Sequence, residues 1–140
     1  KILPIGKLNK NHSGLVIFTN DEKMSAKLSH PKHEVKKIYH ISLSNPLKSL
    51  DFKKMKDGLI IDGEKIVLDS ISYVQDKGKT EIGIETKSNK RNLIIKMLDS
   101  LDYHVIRLDL VFYGGLTKKE ISRKKYRFLS DEEINLLKRI

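Results

Sequence analysis

The sequence predicts an α+β fold in which a mixed, largely antiparallel sheet is flanked by helices. Leu93, Met97 and Leu101 recur four residues apart, which is the spacing of one face of an α-helix. Ile82 and Ile84 share one side of an alternating run that indicates a strand. The predicted strands do not alternate regularly with helices, as they would in a parallel sheet of βαβ units, and this favours the antiparallel arrangement.

The remaining elements are predicted from capping residues, turn residues and apolar patterns. Asp21 can cap a helix, Pro46 can open another, and Ser130 begins a capping box. Ile38 and Ile41 are the expected inward positions of their strand. In chain order we predict a strand at 15–18, a helix from 20 or 21 to 29, a strand at 35–42, a helix at 46–57, strands at 59–61, 65–73 and 80–86, a helix at 89–101, a strand at 105–111 and a last helix from 130.

Composition narrows the class of protein. A chain of 140 residues with 39% hydrophobic and 33% charged residues is expected to form one globular domain, residues 1–140, with its own core. No apolar run is long enough to cross a membrane, and no signal-peptide pattern is present, so we expect a cytoplasmic protein without a membrane partner. The absence of cysteine excludes disulfides and thiolate metal sites. His30 and His33 have a ligand-like spacing but no third partner, so no metal site is predicted.

The charge balance points to an anionic partner. The formal net charge is +10, with a sequence pI near 9.7. Such a surplus on a small domain favours nucleic acid, because neutralised phosphates release their counterions. Lysine outnumbers arginine, which suits phosphate contact better than bidentate reading of bases. The alternative is a lysine-rich surface that serves solubility alone.

A polar loop with a glycine at each end, Gly6 to Gly14, runs into the apolar residues 16–18. This pattern is typical of a plain turn, and also of a loop that presents functional groups from a rigid strand. Its residues resemble the motif Gly-Arg-Leu-Asp-x-x-Thr-x-Gly-Leu of the rRNA pseudouridine synthases of the RsuA/RluB/RluE/RluF type. Further motifs of that family are matched in order and spacing at residues 28–32, 35–39, 57–58, 114–117 and 129–133.

The resemblance covers nearly all of the chain. It implies a pseudouridine-synthase-like catalytic domain, a partner that is ribosomal RNA or a ribosome precursor, and chemistry without cofactor or metal. A monomer is expected. The resemblance also implies an S4-type RNA-binding module and further catalytic-domain sequence on the N-terminal side, and neither lies within these 140 residues.

Two catalytic positions are carried over from the resemblance. The catalytic aspartate of the family falls on Asn9, and the preceding arginine falls on Lys7. A neutral amide is neither a base nor a useful nucleophile at pH 7, so this departure predicts that catalysis is lost. Tyr39 falls on the family's Lys-x-Tyr motif, where the tyrosine lies against the target uracil. Its alternative role is that of a core aromatic.

A second departure coincides with the first. The start of the helix at 89–101 has Asn89, Asn92, Leu93 and Ile95 where the family has glycine, arginine, glutamine and the arginine that pairs with the catalytic aspartate. A buried arginine facing a neutral asparagine would cost about 3–5 kcal/mol, so the two losses are expected together. This favours a naturally decayed active site. The alternative is an active synthase in which Asn9 is an engineered or variant form of the aspartate.

Basic residues near these motifs are the candidates for RNA contact. The densest run extends from residue 118 to residue 127, and it is either an RNA-contacting segment or a solvated face. A module that binds only protein is the third interpretation, and it would bind without salt sensitivity. The predicted RNA-binding residues are Lys7, Lys10, Lys36, Lys37, Lys90, Arg91, Lys96, Lys124 and Lys125.

Overall fold

The computed structural model describes residues 1–5, 12–30, 32–88, 91–119 and 121–140, without the side chains of residues 12 and 91. Helices and strands follow one another in an irregular order. They are β1 (Leu3–Pro4), β2 (His12–Gly14), β3 (Phe18–Thr19), α1 (Glu22–Ser29), β4 (Lys37–Leu43), α2 (Ser49–Asp57), β5 (Leu59–Ile61), β6 (Glu64–Ile66), β7 (Ser70–Tyr73), β8 (Glu81–Thr86), α3 (Arg91–Ser100), β9 (Val105–Tyr113), β10 (Leu116–Thr117) and α4 (Asp131–Lys138).

A six-stranded sheet forms the centre of the fold. Its strands lie in the order β10-β9-β4-β8-β7, each antiparallel to its neighbour, and β2 pairs with β9 in parallel. Two small antiparallel pairs, β1 with β3 and β5 with β6, complete the strand pairing. The predicted α+β class with a mixed, largely antiparallel sheet is therefore confirmed.

One face of this sheet carries the core. Ile41, Ile82 and Ile84 are fully buried, and they belong to the same hydrophobic cluster as Met97 and Leu98 of α3. Ile41 lies opposite Ile82 in β8, so both side chains leave the sheet on the same side. The helical periodicity of the sequence had predicted this contribution of α3, and the alternation had predicted the isoleucines of β8.

The expected inward position of Ile38 is wrong. Buried and half-buried residues alternate strictly along β4, and the buried ones are Lys37, Tyr39, Ile41 and Leu43. Since successive side chains of a strand point to opposite faces, Ile38 and Ile41 cannot both face the core. Ile38 therefore lies on the opposite, half-exposed face.

Three predicted boundaries also differ from the structure. The strand predicted at 15–18 is replaced by β2 and β3, because Gly14 turns the chain between them with a φ of 104°. The second helix begins at Ser49 rather than Pro46, because the amide of Leu47 is tied to the carbonyl of Lys79 at 2.8 Å. The strand predicted at 65–73 is two strands, β6 and β7, which belong to different sheets.

Helices α1 and α4 begin at their predicted caps. Asp21 accepts a hydrogen bond from the amide of Met24 at the start of α1. At α4, Ser130 accepts from the amide of Glu133 while the Glu133 side chain accepts from the amide of Ser130, which is a complete capping box. Replacement of such a cap costs about 1 kcal/mol, so these contacts fix where α1 and α4 begin.

Candidate RNA-binding and active site

The candidate active-site loop ends at the parallel pair formed by β2 and β9. Ser13 lies opposite Asp109 and Gly14 lies opposite Leu110, and the amide of Leu15 donates to the carbonyl of Leu110 at 2.9 Å. Asn9, on which the resemblance places the family's aspartate, lies outside the described residues. The predicted RNA contacts at Lys7, Lys10 and Lys90 lie outside them as well.

Gly14 is required where β2 approaches β9. A Cβ at this position would lie 2.2 Å from the carbonyl oxygen and 2.5 Å from the amide nitrogen of Leu110. It would also lie 2.7 Å from a carboxylate oxygen of Asp109. The residue has a φ of 104°, which side chains rarely adopt, so only glycine fits both the backbone angle and the contact.

A buried carboxylate closes the same junction. Asp109 is 5% exposed, accepts a hydrogen bond from the Ser13 hydroxyl at 3.2 Å, and forms a salt bridge with the ammonium of Lys118 at 2.8 Å. Arg107 lies 3.5 Å from the same carboxylate. Since both cations remain partly exposed, the cluster stabilises Asp109 and ties β2, β9 and the segment after β10 together. Sequence analysis had not predicted this cluster, and the only signal was an acidic residue inside an apolar strand.

Tyr39 lies in register with the end of the candidate loop. Leu110 of β9 lies opposite Gly14 on one side and opposite Tyr39 on the other. Two strand spacings, about 10 Å, therefore separate the backbones of Gly14 and Tyr39. The predicted pocket residue is 1% exposed and belongs to the core cluster. The topology brings it to the same row of the sheet as the strand that follows Asn9.

Lys37 and Tyr113 are neighbours of Tyr39. The Lys37 ammonium donates to the carbonyl of Val35 at 3.0 Å and lies 5.6 Å from the centre of the Tyr113 ring. Burial raises the pKa of Tyr113 to about 12, and the nearby Tyr39 phenol contributes to that rise. Lys37 was predicted as an RNA contact, and the structure places it at 5% exposure, with its ammonium beside an aromatic ring. Two phenols and one ammonium therefore lie buried close to one another at β4 and β9.

The raised pKa of Tyr113 predicts a loss of stability at high pH. A phenol whose pKa rises from 10.0 to about 12 on folding contributes stability that is complete below pH 10 and is lost as the pH rises through about 12. Tyr113→Phe should therefore flatten the dependence of the free energy of unfolding on pH in this window. Urea unfolding between pH 9 and pH 12 measures this. Tyr126→Phe, at a side chain 85% exposed, is the matched control, and an equal flattening by both variants would contradict the assignment.

The first turns of α3 pack apolar side chains against the core. Leu93 and Ile95 are partly buried and pack against the hydrophobic core, beside the buried Ile94. Ile95 is the position at which the resemblance had implied the arginine that pairs with the catalytic aspartate. In this helix, Lys96 points to the surface and forms an exposed salt bridge with Asp62 at 2.7 Å. Arg91 is the first residue of α3, and its side chain is not described.

The remaining predicted RNA contacts lie on the surface. Lys36 forms a salt bridge with Glu85 at 2.8 Å, and its ammonium lies 5.6 Å from the centre of the Phe112 ring. Lys124 and Lys125 are exposed in the segment before α4, where Lys124 has a φ of 65°. The predicted site residues that the structure describes therefore form a buried pair, Lys37 and Tyr39, and an exposed set, Lys36, Lys96, Lys124 and Lys125.

The sequence of this chain matches a known family. A family model described as RNA pseudouridylate synthase matches residues 1–108, which include the candidate loop, Tyr39 and α3. This chain belongs to the RNA pseudouridylate synthase family. The family predicted from the motifs is therefore confirmed.

Relatives of this family member include pseudouridine synthases named for the small and the large ribosomal subunit. The chain is 27% identical over 135 residues to an uncharacterized RNA pseudouridine synthase of Aquifex aeolicus, covering 96% of this chain and 54% of the relative. It is 27% identical over 132 residues to ribosomal small subunit pseudouridine synthase A of Vibrio vulnificus, covering 93% and 57%. It is 27% identical over 142 residues to ribosomal large subunit pseudouridine synthase B of Bacillus subtilis, covering 99% and 58%. The chain thus spans little more than half the length of these relatives.

A solved structure supports the fold of this pseudouridylate synthase family member. A crystal structure of a pseudouridylate synthase superimposes with a TM-score of 0.83 and 23% identity, covering 98% of this chain and 60% of the other. In the part of this chain that the structure describes, no helix is long and apolar enough to cross a membrane. The same residues contain no group of three or more histidines and carboxylates that could hold a metal ion.

Proposed function

We propose that this member of the family is a domain that binds ribosomal RNA and has lost the isomerase activity. The observation that carries the proposal is Asn9, which stands at the family's aspartate position. Converting uridine to pseudouridine requires breaking the glycosidic bond, turning the freed base and joining it to the sugar through carbon. The family's mechanism needs a carboxylate beside the flipped nucleotide, and an amide has neither the charge nor the basicity.

The apolar face of α3 supports this proposal. A carboxylate remains ionised in a buried pocket when a cation lies beside it. Leu93 and Ile95 pack against the core at the positions where the resemblance had implied glutamine and arginine. With Asn9 neutral, the pocket has no need of that arginine, and an unpaired one would be costly there. Both departures therefore fit one protein that no longer performs the reaction.

RNA binding does not depend on the lost carboxylate. The net charge of +10 supplies a general attraction to phosphates, and exposed lysines lie outside the pocket. The relatives' names refer to both the small and the large ribosomal subunit, and we propose ribosomal RNA or a ribosome precursor as the partner, with a role in ribosome assembly or structure. We further propose that residues 1–140 form one domain and that the protein is monomeric and cytoplasmic, with no cofactor.

An active synthase is the alternative. The observation that favours it is the buried group of Lys37, Tyr39 and Tyr113, which keeps the Lys-x-Tyr pattern of the family in place. In this interpretation Asn9 is an engineered or variant form of the aspartate. Formation of pseudouridine distinguishes the two proposals, whereas RNA binding is expected from both.

RNA binding is tested by a salt series. The dissociation constant for a fluorescent rRNA fragment should rise steeply with salt, because each neutralised phosphate adds about 0.7 to the log–log slope for a single strand. Lys124→Glu combined with Lys125→Glu should lower this slope by about 1.4 if each lysine contacts one phosphate. Lys53→Glu with Lys54→Glu, two exposed lysines on α2, changes the net charge equally and is the control. A flat salt response of the wild-type protein would reject RNA binding and favour a protein-binding module.

A further inference from the structure

Two exposed aromatic side chains lie next to the densest basic run. Tyr126 is 85% exposed and Phe128 is 88% exposed, more than any other large hydrophobic residue in the described part of the chain. Their rings lie edge to face, with centres 6.2 Å apart and planes 84° apart. Covering an exposed aromatic ring removes apolar surface from water, which is favourable. A pair of such rings on one segment therefore indicates a binding surface.

The residues next to the two rings, Arg127 and Leu129, keep both rings on the surface. From Tyr126 to Ser130, exposed residues alternate with half-buried ones, and the half-buried ones are Arg127 and Leu129. Arg127 makes two hydrogen bonds to the carboxylate of Glu133, at 2.7 and 2.6 Å. The Arg127 guanidinium is the main cause, and the amide of Ser130 the next, of the lowering of the pKa of Glu133 to about 2.

This anchoring makes the aromatic surface rigid. Leu129 packs against the core, and Arg127 is fixed to α4 through the capping box residue Glu133. Arg127 lies between Tyr126 and Phe128, and Leu129 follows Phe128, so the anchored side chains of Arg127 and Leu129 hold both rings in place. A binding surface that is already ordered loses less conformational entropy when it is occupied.

The cations next to the rings favour an anionic partner. Arg123, Lys124 and Lys125 precede the rings and are exposed, and none of them forms a salt bridge with a residue that the structure describes. A second copy of this chain would bring two molecules of net charge +10 together, which is unfavourable. A polyanion with flat apolar faces complements both the cations and the rings.

We propose that residues 123–128 form a stacking platform for single-stranded RNA, in which two unpaired bases stack on Tyr126 and Phe128 while the three cations contact the phosphates. The proposal rests on the proposed RNA-binding function and adds a site and a substrate class to it. Single strands are favoured because bases in a duplex have their faces covered by neighbouring pairs. Sequence analysis had predicted Lys124 and Lys125 and had missed the aromatic pair.

The platform is tested with a fluorescent single-stranded oligouridine and a hairpin duplex of equal length. Because the stacking of two bases is removed, the double variant Tyr126→Ala with Phe128→Ala should weaken binding of the oligouridine about 30-fold or more. Its salt slope should stay unchanged, because no phosphate contact is removed. Tyr126→Phe should retain binding. Ile60→Ala, at a distant exposed apolar residue of β5, is the control and should bind as the wild-type protein does.

A tryptophan reporter gives an independent reading. The chain contains no tryptophan, so Tyr126→Trp adds a single indole whose emission should be quenched when oligouridine stacks on it. Wild-type affinity of the double variant, or an indole unaffected by bound RNA, would overturn the platform while leaving RNA binding intact. Absence of RNA binding by the wild-type protein would overturn the proposed function and the platform together.

Discussion

Gly14→Ala is expected to destabilise the protein by about 3 kcal/mol or more, because it combines backbone strain with a steric clash. The new Cβ would overlap the backbone of Leu110, at 2.2 Å from its carbonyl oxygen, and that backbone is held on its other side by Tyr39 of β4. Neither neighbour can retreat without breaking the sheet. We therefore expect β2 to separate from β9, with loss of the Ser13 hydrogen bond to Asp109.

Urea unfolding and hydrogen exchange measure this effect. The amide of Leu15, which donates to Leu110, should exchange much faster in the variant. Gly63→Ala is the matched control, since Gly63 has a φ of 80° and nothing within 4 Å of its added Cβ. It should show only the strain of a left-handed residue, about 1–2 kcal/mol. Equal losses from both substitutions would mean that the contact with Leu110 does not require a glycine.

Local patterns in the sequence predicted the parts of the fold that depend on local physics. The spacing of Leu93 and Met97 in α3, the alternation around Ile82 and the capping box at Ser130 all describe interactions between residues near in the chain. These elements are confirmed. The parallel pairing of β2 with β9 joins residues about a hundred positions apart, and no local pattern signals it. The same limit explains why the salt bridges of Asp109 were not predicted.

The candidate site was predicted unevenly for a similar reason. Motif resemblance assigned Tyr39 to the site, and the structure places this side chain in the core at 1% exposure. It assigned Lys37 to RNA contact from its charge, whereas β4 alternation places that side chain on the buried face. Tyr126 and Phe128 were missed because they lie in a segment outside every helix and strand, where a sequence pattern does not predict which side chains are exposed. Their exposure follows from Arg127 binding Glu133, which is a contact between side chains.

Restoring the aspartate alone is expected to leave the protein inactive. Asn9→Asp would restore the carboxylate, while Leu93 and Ile95, where the resemblance implies glutamine and arginine, remain packed against the core. Without the arginine that the resemblance implies on α3, the pKa of this carboxyl should rise and its neutral form should be favoured. Asn9→Asp with Ile95→Arg and Leu93→Gln should give at most a trace of pseudouridine. Asn9→Ala with the same two changes on α3 is the control for any effect of the arginine alone. Robust turnover by the single variant would show that the residues at positions 93 and 95 of α3 do not contribute to the loss of activity.

The most direct measurement of the central claim follows binding and isomerisation in one sample. An rRNA transcript is incubated with the wild-type protein, the bound fraction is measured, and the pseudouridine content of the same RNA is determined by mass spectrometry. The large subunit pseudouridine synthase B of Bacillus subtilis serves as the positive control for the assay. We expect salt-sensitive binding and no pseudouridine above the level of untreated transcript. Pseudouridine that accumulates beyond one equivalent of protein would contradict the loss of catalysis and establish the chain as an active synthase.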